Sequence, residues 1–164
     1  PKSFKKLGIY DLEEGAFNGN IWTSAKLSAK MIKQFSYINK NFKNRPFNTN
    51  RWDHLVIFPK TAIATTFGIS FSITNLFPVS SEKTLFVSKV YFTSMSNNDK
   101  EQKLTDDLKK SIINFNKTVF AEDAKAAEGV QKVIGEATES FRYGLGEKRI
   151  VPYLKKYKEI ISRN

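Results

Sequence analysis

The 164-residue chain contains no cysteine and a single histidine, His54. Without cysteine it can form neither a disulfide framework nor a cysteine-ligated iron–sulfur cluster, and no Cys/His zinc site fits within it. A serine–histidine–aspartate mechanism would depend on His54 alone. No apolar run approaches the roughly 20 residues of a membrane span, and the first 15 residues lack the apolar stretch of a signal peptide. We therefore expect a cytoplasmic protein with no membrane partner.

The composition is that of a folded globular protein with an aromatic core, since 13% of the residues are aromatic and 14 are phenylalanine. Its net charge is +11, and such a balance raises nucleic acid as a partner. The lysines, however, are scattered along the chain, without a recognition-helix pattern, an aromatic RNA-binding motif or a Gly-Arg tail. The pattern favours a solvated basic surface, and we do not expect a nucleic-acid partner.

The apolar pattern changes its period along the chain. Residues 21–42 carry apolar side chains at helical spacing and predict a helix or an irregular segment. Between residues 54 and 95 the pattern alternates and is rich in β-branched and aromatic residues, which predicts three or four antiparallel strands joined by short turns. Helical stripes follow at about 97–119, 120–141 and 147–162. This order predicts an α+β fold, an antiparallel sheet packed on C-terminal helices, in a single domain over residues 1–164.

Asp123 is misplaced in the predicted helix 120–141. On a helical wheel it lies within about 40° of Ala127, Val130 and Ile134, on the apolar stripe. An unpaired buried carboxylate is costly, so such a residue needs a cation, strong donors or a place at the helix end. Three interpretations follow from the pattern: an acidic residue in the first helical turn, a buried salt bridge, or a metal-binding or catalytic carboxylate.

The surrounding motif narrows this choice. The segment "EDAKAAEGVQ" (residues 122–131) resembles the E-D-x4-E-x-V-Q segment of the catalytic domain of Rieske-type, or ring-hydroxylating, oxygenase α subunits. The upstream strand "HLVIFP" and the ending "YGLGEKRIVPYLKKYKEII" look like the flanking parts of that domain. Order and spacing agree over roughly residues 52–161. The resemblance implies a helix-grip fold, an antiparallel sheet wrapped on a long C-terminal helix, incomplete here at its N-terminal side.

The resemblance also implies site residues. Asp123 takes the position of the carboxylate in a 2-His-1-carboxylate triad that holds mononuclear non-haem Fe(II), with open positions for O₂ and substrate. Glu128 and Gln131 match the following Glu and Gln of the motif. A small organic substrate would lie against residues of the sheet, for which the candidates are Phe58, Phe67, Phe71, Phe86 and His54. A ferredoxin or flavin reductase would supply electrons through a [2Fe–2S] domain, and the family predicts a homo-oligomer, commonly a trimer.

The chain departs from the family pattern in two respects. It has no His-x4-His pair, and it has none of the cysteines of the Rieske domain. We therefore interpret residues 1–164 as the C-terminal part of a Rieske oxygenase catalytic domain, with the [2Fe–2S] domain and the two iron-binding histidines outside it. The parent protein is then an enzyme, and the isolated chain is predicted to be inactive. The alternative is a stand-alone helix-grip protein that binds an apolar small molecule without iron chemistry.

Overall fold

A computed structural model describes residues 9–33, 36, 51–66, 68–92, 99–136, 144 and 149–163. Within these residues, strands of consecutive number pair with one another and form a single antiparallel sheet of six strands. Residues 51–92 contribute four of them, within the three or four strands predicted for residues 54–95. The strands are β1 (Ile9–Phe17), β2 (Asn20–Leu27), β3 (Arg51–Ile57), β4 (Thr61–Thr66), β5 (Ser70–Pro78) and β6 (Thr84–Phe92).

The described helices follow the sheet in the sequence: α1 (Asp99–Ile134) and α2 (Ile150–Ile161), apart from one helical turn at residues 29–33. The predicted α+β class is thus confirmed. The prediction of separate helices at 97–119 and 120–141 is wrong, because one 36-residue helix, Asp99–Ile134, runs without interruption through the junction between the two segments. No glycine or proline occurs between Asp99 and Glu128, so nothing in this stretch interrupts the backbone hydrogen bonding.

The prediction of a helix or irregular segment at 21–42 is also wrong over its first residues, because residues 21–27 belong to β2. β1 and β2 form a hairpin around Asn18 and Gly19, whose φ angles are 49° and 85°. Asn-Gly is the typical pair for a two-residue turn in which both residues have positive φ. One face of this hairpin is buried, and on it lie alternate residues of β2, namely Ile21, Thr23, Ala25 and Leu27.

The two faces of the sheet differ in what covers them. The helices contact the face that carries the buried residues of β2, which we call the inner face. At one end of it Leu27 and Ile69, 2% and 1% exposed, pack against Leu104 and Leu108 of α1. At the opposite end the hydroxyl of Tyr153, on α2, donates a 2.6 Å hydrogen bond to the carbonyl oxygen of Pro59. The helices therefore anchor to different parts of one face.

The opposite, outer face of the sheet is open and largely apolar. Register and alternation place on it several exposed large side chains, including Trp22, Leu55, Ile57, Phe77, Leu85 and Tyr91. A polar network crosses it near β3: Arg51 Nε donates to Ser24 Oγ at 2.6 Å, and Ser24 Oγ donates to Asp53 Oδ1 at 2.5 Å. Arg51 also forms an ion pair with Glu13 at 3.0 Å.

Candidate functional site

A groove of about 980 Å³ lies between the second half of α1 and the hairpin that joins β5 to β6. Its walls are mainly apolar, with acidic and basic side chains at both borders. Phe86 and Phe120 meet edge to face inside it, with ring centroids 4.8 Å apart at 63°. The lining residues are Leu76, Glu82, Lys83, Thr84, Phe86, Phe120, Ala121, Asp123, Ala124, Ala127, Glu128, Gln131 and Lys132.

Asp123 lines this groove, one turn of α1 beyond Phe120. Its predicted place at a helix N-terminus is wrong, because α1 begins at Asp99 and continues to Ile134. Its carboxylate forms no hydrogen bond or ion pair with any residue of the described part of the chain. Interior backbone N–H groups of a helix are already bonded within the helix, so the backbone of α1 offers this carboxylate no donors. Within the described residues, Asp123 therefore presents an unpaired carboxylate to the groove.

The last part of α1 is uncovered. Every residue from 121 to 136 is exposed, including the apolar Val130, Val133 and Ile134 at 48%, 60% and 42%. The sequence predicted that this apolar stripe would be buried, and for these residues it is not. Ala137 and Phe141, which continue the stripe, lie outside the described residues. The helix thus extends past the sheet, and the groove is bounded by α1 on one side and the β5–β6 hairpin on the other.

The structure brings only some of the candidate substrate residues together. Phe86 shares the groove with Asp123. Phe58 follows β3 and packs against Tyr153 of α2, with ring centroids 5.3 Å apart. Phe71 lies on the outer face and stacks on Tyr91 at 5.0 Å, so it cannot line a site together with Phe86. Phe67 lies outside the described residues.

His54 lies on the inner face in β3, where its ring stacks on Trp52 with centroids 5.6 Å apart and planes at 3°. Arg149 precedes α2 and donates a hydrogen bond from Nη1 to Thr23 Oγ1, the residue opposite His54 in β2. Burial, and secondarily the positive charge of Arg149, lower the pKa of His54 below its usual 6.5. His54 is therefore a neutral imidazole near pH 7. No sequence signal pointed to Arg149, which approaches the sheet only through the placement of α2.

His54 and the Asp123 groove are separate. The register places His54 three strands and four residues from Phe86, which is about 20 Å on a flat sheet. Among the described residues there is also no cluster of three or more His, Cys, Asp or Glu side chains that could hold a metal ion. Asp123 offers one ligand, and an iron triad needs two imidazoles beside it. The residues of this chain alone do not fit a mononuclear iron centre.

No helix in the described part of the chain combines the length and apolarity needed to cross a membrane.

A protein-family model matches residues 9–162, a range that includes both the sheet and the groove. The family is described as the ring-hydroxylating alpha subunit, catalytic domain. Neither the search of curated proteins nor that of solved structures found a significant match. The family match covers almost the entire chain, and it includes the helix that carries Asp123 and the hairpin facing it. The chain belongs to the family of ring-hydroxylating alpha subunit catalytic domains.

Proposed function

We propose that residues 1–164 are the C-terminal part of the catalytic domain of a Rieske oxygenase, which oxidises a small organic substrate with O₂ at mononuclear Fe(II). The observation that carries this proposal is the position of Asp123. Among the described residues Asp123 has no hydrogen-bond or ion-pair partner, it is exposed on the wall of the groove, and it stands at the motif position of the family's iron carboxylate. Family membership supports oxygenase chemistry.

In this proposal Asp123 is the carboxylate ligand of iron. The two imidazole ligands come from a segment outside residues 1–164, because the chain contains only His54 and that residue lies far from the groove. A single exposed carboxylate binds Fe(II) weakly, so the isolated chain is expected to hold little iron and to be inactive. The same outside segment would cover the apolar surface of α1 around Val130 and Val133, which is exposed in this structure.

The substrate is expected between the groove and the inner face of the sheet. Phe86 and Phe120 give the groove an aromatic wall. Beside it the inner face has a floor of small side chains, Ala62 and Ala64 of β4, which register places next to Val56 and His54. Small side chains leave room above a sheet, and an apolar pocket with few polar groups is the usual form of a small-molecule site. Of the original candidates, Phe58 and Phe86 remain in this proposal. His54 lies about 20 Å from Phe86 in the register, too far for one small substrate to contact both.

The proposed cofactors and partners follow from the same family membership. A [2Fe–2S] domain outside residues 1–164 would receive electrons from a ferredoxin or a flavin reductase. A homotrimer would place that domain beside the catalytic domain of a neighbouring subunit.

The proposal can be tested first on the coding sequence upstream of residue 1. It should encode a Cys-x-His and Cys-x-x-His set and then a His-x4-His pair; an upstream region without either would refute the proposal. In the full-length protein, Asp123→Asn should lower the iron content at least about tenfold, measured by elemental analysis after anaerobic loading. Glu122→Gln is the matched control, because Glu122 is the adjacent carboxylate on α1 and does not line the groove. Equal iron in both variants would contradict the role of Asp123.

A second candidate function is a binder of apolar small molecules without iron. The mainly apolar groove with its aromatic pair favours it. It differs from the oxygenase in two results: groove occupancy by an apolar fluorescent probe would be unaffected by Asp123→Asn, and no upstream histidine pair would exist.

A further inference from the structure

The outer face of the sheet exposes an apolar patch at the upper limit of what monomeric proteins carry. Six of its large side chains are between 37% and 54% exposed, namely Trp22, Leu55, Ile57, Phe77, Leu85 and Tyr91. Phe17, which register places on the same face at the end of β1, is 80% exposed. With about 150–250 Å² for each fully exposed side chain of this size, these residues leave on the order of 600 Å² of apolar surface in solvent. The largest patch on a typical monomer is roughly 300–600 Å².

Aromatic rings cover both flanks of this surface. A Cβ atom at position 15 would meet the indole ring of Trp22, so that ring lies across β1, directly over Gly15. On the other flank, the rings of Phe71 and Tyr91 stack at 5.0 Å with their planes 14° apart. An aromatic ring laid over a glycine of the neighbouring strand fills the gap that the glycine leaves in a sheet surface. The outer face is therefore suited to packing against a second sheet.

The polar groups near β3 on the outer face are bonded to one another. The Asp53 carboxylate accepts hydrogen bonds from Ser24 Oγ at 2.5 Å and from Thr65 Oγ1 at 3.4 Å. Arg51 donates to Ser24 Oγ and forms an ion pair with Glu13. Covering a polar group is costly mainly when the group loses its hydrogen-bond partners. This network keeps its partners within one sheet, so a second surface can cover it at little cost.

We infer that the outer face is the interface between two copies of this chain, packed sheet against sheet about a two-fold axis that runs parallel to the strands. Such an axis places β1 of one copy over β6 of the other, β2 over β5, and β3 over β4. Register aligns one outward-facing row across all six strands, which consists of Gly15, Trp22, Leu55, Ile63, Ile73 and Lys89. Under the two-fold axis, the apolar residues that β2 and β3 contribute to this row lie on those of β5 and β4 in the other copy.

The charges at the two edges of the described sheet favour this axis. Glu13 lies in β1 and Lys89 in β6, and both side chains are exposed on the outer face. Register places them in adjacent outward-facing rows, about 7 Å apart along the strands. The axis parallel to the strands therefore brings Glu13 of each copy near Lys89 of the other. An axis perpendicular to the strands would place β1 over β1 and β6 over β6, where like charges meet.

The area of the patch matches what a stable dimer needs. A standard interface buries about 800 Å² on each partner. In homodimers about 65% of this area is apolar, which is roughly 500 Å². The apolar patch supplies this amount, and the polar network with the edge charges supplies a rim. The contact is isologous, so it closes at two copies.

The interface does not depend on the proposed iron function. It lies on the face opposite the helices, and none of its apolar residues lines the Asp123 groove. Failure of the iron proposal would leave the interface standing, and a monomeric chain would leave the role of Asp123 unchanged.

Sedimentation velocity over a concentration series measures dimerisation of the chain. We expect a monomer–dimer equilibrium with a Kd of about 10 μM or tighter. Leu55→Lys should weaken dimerisation at least about tenfold, because each dimer contains the substitution twice at the centre of the interface. Leu12→Lys is the matched control, since Leu12 is an exposed leucine that register places opposite Ala25, on the inner face. It should leave the Kd within about twofold, and far-UV circular dichroism checks that both variants keep the fold.

The edge charges test the direction of the axis. Lys89→Glu and Glu13→Lys, each alone, should weaken dimerisation about three- to tenfold, because each variant brings like charges together across the interface. The double variant restores opposite charges and should recover most of this loss. A double variant as weak as the weaker single variant would overturn the axis parallel to the strands.

Three results would refute the interface itself. They are a chain that stays monomeric at about 100 μM, a trimer as the only assembly, and equal weakening by Leu12→Lys and Leu55→Lys. Because the chain contains no cysteine, Leu55→Cys adds a single thiol whose reaction with a maleimide reports whether the outer face is covered. Labelling should be fast in dilute solution and slow at concentrations where the dimer forms. Slow labelling at every concentration would mean that another part of the same chain covers the face, and it would overturn the inference.

Discussion

Replacement of Asp123 by alanine is expected to stabilise the isolated chain. In the interior of a helix, aspartate is less favourable than alanine by about 0.6 kcal/mol. Nothing offsets this difference, because the side chain is exposed and makes no hydrogen bond or ion pair within the described residues. We therefore expect Asp123→Ala to raise the free energy of unfolding by about 0.5 kcal/mol.

The sign of the change in unfolding free energy distinguishes an exposed Asp123 within a continuous helix from the other interpretations of this residue. If the residue capped the start of a helix, its replacement by alanine would lower stability by about 1 kcal/mol. A buried salt bridge would give a larger loss, of about 3 kcal/mol or more. The gain arises only if Asp123 stands unpartnered within a continuous helix.

Urea unfolding followed by circular dichroism at 222 nm measures the effect. With an m-value of about 1–3 kcal/mol/M, a gain of 0.5 kcal/mol raises the midpoint by roughly 0.2–0.5 M. Asp107→Ala is the matched control, since Asp107 is an exposed aspartate of the same helix, and it should give a similar gain. A lower midpoint for Asp123→Ala, with a higher one for Asp107→Ala, would refute the reasoning.

Three further predictions concern the sheet and its contacts. Leu27→Ala should lower the free energy of unfolding in urea by about 3 kcal/mol, because Leu27 is 2% exposed. Leu12→Ala, at a position that is 55% exposed, should lower it by less than about 0.5 kcal/mol. The pKa of His54 is lowered in the folded state, so on acidification the unfolded state binds the imidazole proton first, and the free energy of unfolding should fall as the pH drops below 6.5. His54→Asn should remove this dependence of the unfolding free energy on pH, and an unchanged dependence would contradict the prediction. Gly19→Ala should lower the thermal unfolding midpoint by several degrees, because φ at Gly19 is +85° and the new Cβ would lie 2.8 Å from Cγ of Lys156. An unchanged midpoint would contradict this prediction and show that the hairpin turn accommodates the added Cβ without strain.

Much of the sheet was predictable because alternation is a direct consequence of strand geometry. β5 alternates polar and apolar side chains, whereas β3, β4 and β6 are short runs rich in β-branched and aromatic residues, and the sequence predicted three or four strands in this region. β2 was missed because its buried side includes Thr23 and Ala25, which an apolar count does not register. The Asn18–Gly19 pair was the available signal, since it marks a two-residue hairpin turn.

The candidate site was predictable only in part. The helical wheel identified Asp123 as unusual, but it could not show whether the stripe around it is covered, because coverage depends on residues distant in the sequence. The same limit applies to Phe71, which alternation assigns to one face of a strand without saying which face the helices cover. Arg149 reaches Thr23 over a separation of 126 residues, and no local pattern encodes such a contact.

The uncovered end of α1 has a consequence for cooperativity. Leu104 and Leu108 of α1 pack against the core of the sheet, and Ile112 is 8% exposed. From residue 121 to residue 136, by contrast, every side chain is exposed. Isolated helical segments of about 15 residues are marginal in water, so this end should open in local unfolding events long before the sheet does. The carboxylate of Asp123 then belongs to a unit that is less protected than the sheet. Binding of the proposed upstream segment should appear first as slowed amide hydrogen exchange confined to residues 121–134, with little change in the exchange of the strands.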